Sequence, residues 1–242
     1  MNFYTSKRFK FFIIHLTCSL IIACMALGLM FVFWYPGSLS IATGAANLFL
    51  MMLAIDVIVG PILGFIVYKK GKKTLKMDLI IIILIQVSAL VYGLYSIEKG
   101  SAAYIVYNID RFELVRKNDI ASNDYQHNEN FGAYPSYVAV QYPDDRKLKE
   151  KVMFDEVFSG VSLSQRPEYY QGLSNVQSQI KHKLKPLQAL ANFNAPEQVE
   201  KVIKKYPNAS GYAPLKANHL DMTVLLDDNA QVIKIVDLRP WN

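Results

Sequence analysis

Residues 54–73 read AIDVIVGPILGFIVYKKGKK. An almost unbroken apolar run holds an aspartate and a Gly-Pro pair, then stops at a lysine cluster. A core helix of a water-soluble domain has no need of such a stop. A membrane span does, because lysines hold its end at the headgroups. Two similar runs flank it, so the apolar stretches fall at about residues 11–35, 44–68 and 77–96. Each is near the ~20 residues needed to cross a ~30 Å hydrocarbon layer. Every backbone group must be bonded internally in that solvent, so all three read as helices. Trp34 and Tyr35 close the first span as an aromatic belt, followed by the helix breaker Pro36; Tyr68 closes the second, and Tyr92 with Tyr95 the third.

Charge divides the chain at the same place. Of the 26 Lys and Arg, eight precede residue 97 (Lys7, Arg8, Lys10, Lys69, Lys70, Lys72, Lys73 and Lys76), with only Asp56 and Asp78 of the 20 acids. The first 96 residues therefore hold the whole net charge of +6, and the remainder is neutral. Nucleic-acid binding is disfavoured, since it needs the basic excess on the domain that makes the contact. The lysine loop instead sets topology and touches anionic lipid. Basic residues precede span one and separate spans two and three, whereas the connection GSLSIATGAAN from Gly37 is uncharged. The N-terminus and lysine loop are predicted to be cytoplasmic, with residues 97–242 on the opposite side. The first apolar run is too long for a cleaved signal peptide. Ile21-Ile22-Ala23-Cys24 loosely fits a lipoprotein signal, but Met25 to Trp34 continue apolar, which favours an uncleaved anchor. Cys18 and Cys24, the only cysteines, lie inside span one and cannot staple an outer domain.

Asp56 is the costly residue, at ~2.5–3.5 kcal/mol for an ionisable group at mid-bilayer. It lies ~20 Å along the helix from Lys69. Gly60 and Gly64 follow on the same face, and Gly60-x-x-x-Gly64 permits a close helix approach. Pro61 removes a backbone donor and is predicted to kink the span. Counted from Lys76, Gln86 and Ser88 sit at ~15 and ~18 Å, level with Asp56. His15, ~7.5 Å above Lys10, reads as too shallow to reach it. Asp56 is either polar glue within the three helices, bonded to Gln86 or Ser88, or a contact for a polar group on a partner's membrane helix; the residues leave both open. A proton pathway is disfavoured, because it wants a second intramembrane carboxylate. Asp78, opening span three, is expected to pair with Lys72 or Lys73.

Residues 97–242 read as an α+β domain. Strands are predicted in YIVYNIDRFELV from Tyr104, broken at Asn108 to Arg111, and in SYVAVQYP from Ser136. HLDMTVLLDDNAQVIKIVDL gives a hairpin around Asp227-Asp228-Asn229-Ala230. Helices are predicted from Asp144 and through SNVQSQIKHKLKPLQAL, which Pro186 bends or ends, and after an Asn194-Ala-Pro-Glu197 cap. The intervening KNDIASNDYQHNENFG is a polar loop, and Tyr134, Tyr137, Tyr142, Tyr169 and Tyr170 suit either a contact surface or core packing. No phosphate loop, G-x-S-x-G or H-E-x-x-H occurs, and His127, His182 and His219 have no nucleophile or ligand at informative spacing. No catalytic residue, metal, cofactor or small-molecule substrate is expected.

Tyr35-Pro36, D-x-x-x-G-P-x-L from Asp56, GKKTLKMDL from Gly71, Gln86-x-x-Ala-Leu-x-Tyr-Gly, DRFELV and the terminal Arg239-Pro240-Trp241 resemble the type IV pilin accessory proteins. The likeness covers nearly the whole chain and is strongest over residues 35–115. One departure is Ser101 to Ala103, where the family often has Arg-Pro. The resemblance implies a multi-pass inner-membrane protein with a periplasmic domain. It would act by contact on a cognate major pilin, with pilus assembly machinery as a further contact, to modulate assembly or retraction without catalysing a reaction. The contrasting reading is a membrane-tethered periplasmic enzyme that modifies pilin or envelope.

Overall fold

A computed structural model describes residues 7–121 and 135–241. His127, Tyr134 and most of the polar loop predicted there lie outside them. The chain divides into two units, but not at a single point: residues 33–44 cluster with residues 100–242, and the other unit holds the residues up to 32 together with 45–99.

The first unit is three helices, each long and apolar enough to cross a membrane. Helix α1 spans Lys7–Leu29 and runs on through a π turn at Met30–Trp34; α3 spans Ala45–Val67 and α4 Leu75–Lys99. The α-helix continues through Pro61. Ile14, Ile66, Leu84 and Ile85 each stand more than half exposed. So much outward-facing aliphatic surface is costly in water and costs nothing in hydrocarbon. Both α1 and α4 pack along α3 and scarcely touch one another. The small helix α2, Leu39–Ala42, belongs to the second unit.

The second unit is built on a seven-stranded mixed sheet in the order β4-β3-β1-β2-β5-β6-β7. The two predicted extended segments, β1 (Ala102–Asn108) and β2 (Arg111–Arg116), pair as an antiparallel hairpin, and β3 (Ser136–Val140) runs parallel to β1. The short β4, Tyr170–Gln171, closes one edge. The other half is the meander β5 (Gly211–Lys216), β6 (Met222–Leu226) and β7 (Val232–Val236). Strand β5 was not anticipated from sequence, because Pro214 argues against a central strand. It pairs with β2 only at Leu215 and Lys216, so Pro214 lies outside that ladder. Asp227 holds the β6–β7 turn by accepting from the Asn229 and Gln231 amides, as a turn residue should.

Alternating side chains cover both faces of the sheet. Ile105, Phe112, Leu215 and Val224 point to the face packed by Val176 and Ile180, the latter on α6 (Gln177–Lys183), and by Leu39 and Ala42 of α2. On the opposite face Val106, Val115 and Val140 meet Val152 of α5 (Arg146–Ser159), while Tyr212 and Leu225 meet Val199 of α7 (Pro196–Lys205). Asp145 caps α5 through the Leu148 amide, and Gly160, left-handed at φ 70°, ends it.

Several expectations change here. Trp34 and Tyr35 do not form a belt around span one; they are buried in the second unit, Tyr35 almost completely. Tyr137, Tyr142, Tyr169 and Tyr170 are partly buried against the core, the packing reading of the two that the sequence left open. Asn194 does not cap α7. Its amide bonds Leu190 O and both the N and O of Arg239, which clamps the C-terminal segment onto the domain. Trp241 Nε1 donates to Asp221 at 2.7 Å, completing that docking.

Candidate functional site

The polar residues of the apolar helices converge on one place. Gln86 on α4 donates from Nε2 to the backbone carbonyl of Asp56 on α3 at 2.9 Å. This joins two of the residues matched by depth in the sequence. Ser88 is not brought in: it is exposed on α4. Two residues along a helix turn the side chain by ~200°, so Gln86 and Ser88 cannot both face α3.

Gly60 and Gly64 are buried within the three helices and make close approaches on two sides. A Cβ on Gly60 would overlap the Gln86 amide, and one on Gly64 would lie 2.9 Å from Phe11 Cε1 and 3.3 Å from His15 Nδ1. One glycine thus admits α4 and the other α1, which accounts for their spacing by contacts inside this chain. Pro61 is buried beside them.

His15, read as too shallow from sequence, shares a cavity with Asp56. The depth counts started at Lys10 and Lys69, but α1 and α3 are matched at Arg8 and Phe65, two and four residues from those starting points. Arg8 Nε donates to Phe65 O, and its guanidinium lies 4.0 Å over the Phe65 ring. Counted from that level, His15 and Asp56 are seven and nine residues along, a difference of ~3 Å. The arginine was the available sequence signal.

The cavity, of about 190 Å³, is floored by Asp56 and Val57 and walled by His15, Cys18 and Ser19 of α1 and by Gln86 and Val87 of α4. Asp56 Oδ2, His15 Nδ1 and Gln86 Oε1 are buried there without a hydrogen-bond partner in the chain. Burying a polar atom unpaired is costly in an apolar medium, so three at one place demand an explanation. At the other end of the helices Lys72 Nζ meets Asp78 at 2.6 Å, the predicted pairing, and Lys69, Lys70, Lys73 and Lys76 are exposed.

The second unit has a polar cleft of about 310 Å³ lined by Glu113, Asp119, Ser162, Ser164, Gln165 and Lys216. Ser164 is buried, its hydroxyl donates to Glu113 Oε2 at 2.6 Å, and among the described residues lining the cleft there is no histidine to act as its base. Asp119 is held by a two-pronged pair with Arg116, both contacts at 2.8 Å. Among the described residues no group of three or more His, Cys, Asp or Glu converges to hold a metal ion.

Three helices long and apolar enough to cross a membrane, followed by a mixed helix-and-sheet domain, mark the chain as a membrane protein. The family model of the fimbrial assembly protein FimB matches residues 3–37. Over 240 residues the chain is 30% identical to the fimbrial assembly protein of Dichelobacter nodosus serogroup I, covering 93% of each. It is 29% identical to that of serogroup E1 with the same coverage. A third, of serogroups C1 and C2, is 36% identical over 109 residues, which is 44% of this chain and 83% of that protein. The chain belongs to the fimbrial assembly protein family, in agreement with the resemblance drawn from its motifs. No solved structure matches it.

Proposed function

We propose that this protein is an inner-membrane accessory factor of type IV pilus biogenesis that acts on its cognate major pilin by contact in the membrane and in the periplasm. The relatives are named for fimbrial assembly and not for a reaction, and the likeness extends over 93% of the chain. The observation that carries the topology is the clustering of residues 33–44 with residues 100–242. Two segments of one folded core must lie on the same side of the bilayer. Three crossings meet that condition, and the positive-inside rule assigns that side to the periplasm. The head then meets the partner's extramembrane part while Asp56 and Gln86, set in place by the close internal packing at Gly60, Pro61 and Gly64, shape a membrane surface for its helix. Ser88 lies on the outward side of α4, beside Val91 and Tyr92, as a separate lipid or partner contact. Lys69, Lys70, Lys72, Lys73 and Lys76 hold the loop at the cytoplasmic leaflet. Two attachments on one partner reinforce each other through effective concentration.

The test is deletion of the gene followed by complementation. Loss of surface pili with pilin still present in the membrane, restored by the full chain, supports the role. Photo-crosslinks from the head to the major pilin identify the partner. Unaltered piliation in the deletion strain overturns the reading.

A further inference from the structure

We infer that the groove between α1 and α4 is a docking site for a second membrane helix that carries a hydrogen-bond donor at mid-bilayer depth. The inference rests on the membrane reading above and names the chemistry of the occupant. Its first support is shape. Because α1 and α4 both pack on α3 and hardly on each other, the three helices leave an open trough floored by α3. The α1 lip presents Cys18, Ser19 and Ala23, small enough to admit a neighbouring helix closely.

The second support is polarity. The trough contains Asp56 Oδ2, His15 Nδ1 and Gln86 Oε1, all buried and unpaired. Gln86 donates one amide N–H to the Asp56 carbonyl, and its unpaired buried atom, Oε1, is an acceptor. His15 Nδ1 accepts in the tautomer protonated at Nε2, and a carboxylate oxygen accepts. With the Asp56 carboxyl ionised and His15 protonated at Nε2 all three atoms accept, and a donor is what pairs them. An acyl chain has none, and a purely aliphatic helix leaves all three unpaired. A serine, threonine, asparagine, glutamine or protonated amine on the incoming helix satisfies them.

The experiment uses the full chain in native membranes, with a photo-crosslinking residue at Ile22 or Ile83, which line the trough, or at Leu20 or Ile85, which are exposed but do not. Crosslinked peptides are identified by mass spectrometry. The expected result is capture, from Ile22 and Ile83 only, of one apolar membrane segment bearing a donor side chain. Capture should fall about tenfold with Asp56→Leu or Gln86→Leu and persist with Asp56→Asn, which keeps an acceptor. Crosslinks to lipid alone, to a segment without a donor, or equally from Leu20 and Ile85 overturn the inference. So does capture indifferent to Asp56→Leu, with the variant's membrane level checked by immunoblot. If the trough captures nothing while the head still crosslinks to pilin and deletion still abolishes piliation, the groove inference falls and the proposed function stands.

Discussion

Leu39→Ala tests the most consequential feature of the fold, the membership of the inter-span connection in the head. Leu39 is 5% exposed and packs with Ala42 in the cluster that includes Ile105, Phe112 and Leu215. Removing a buried leucine side chain costs about 2–5 kcal/mol, as lost transfer energy plus a cavity. At about 3 kcal/mol the unfolded fraction of the head rises roughly a hundredfold. That is a large share of the ~5–15 kcal/mol that holds a domain together. Ile41, two residues away, is 43% exposed, and Ile41→Ala should change stability by no more than about 0.5 kcal/mol. Limited proteolysis of the full chain in spheroplasts reads the difference, since cleavage follows the open population when reclosing is fast. Leu39→Ala should be cut far faster than Ile41→Ala. Equal cleavage of the two variants would refute the assignment of residues 33–44 to the core. The same reasoning predicts that residues 100–242 expressed alone, lacking Tyr35, Leu39 and Ala42, fold poorly, and that joining residues 33–44 to them rescues solubility.

Four further outcomes follow from particular contacts. Ile109→Gly should raise the head's melting temperature, because an exposed β-branched residue at φ 58° bears about 1 kcal/mol of strain that glycine avoids. Gly60→Leu should lower the amount of intact protein in the membrane on immunoblot, since the Gln86 amide fills the space, whereas Gly28→Leu, with nothing within 4 Å, should not. Asn194→Ala should destabilise the head by about 1–3 kcal/mol in urea unfolding by freeing the Arg239 backbone. Burial pushes the Tyr107 and Tyr137 phenols up to about 12, as it does Tyr142 with help from the adjacent Glu156 carboxylate. The folded head therefore keeps protons that the unfolded chain releases from pH ~10. Its stability should be full below pH 10 and fall as pH rises toward 12, and Tyr137→Phe should flatten that decline in circular dichroism.

Length, apolarity and charge asymmetry were sufficient to read three membrane helices and a separate α+β head, because these are properties of composition and period. The extended segments of β1 and β2 and the β6–β7 hairpin were legible for the same local reason, as was the pairing of Asp78 with its lysine loop. The choice of Gln86 over Ser88, the arrival of His15 beside Asp56, and the division of Gly60 and Gly64 between two neighbours depended on how α1 and α4 rotate and slide against α3. A single helix's sequence does not carry that register; here Arg8 against Phe65 and the glycine clearances set it. Pro196 and Glu197 open a helix as read, yet Asn194 does not cap it, because the asparagine's amide is used by Arg239, 45 residues away. Most of all, the connection between spans one and two was read only for its lack of charge. Only the sheet, with a face left for Leu39 and Ala42 to cover, made it part of the core, because burial is decided by what another segment leaves open and not by the residues buried.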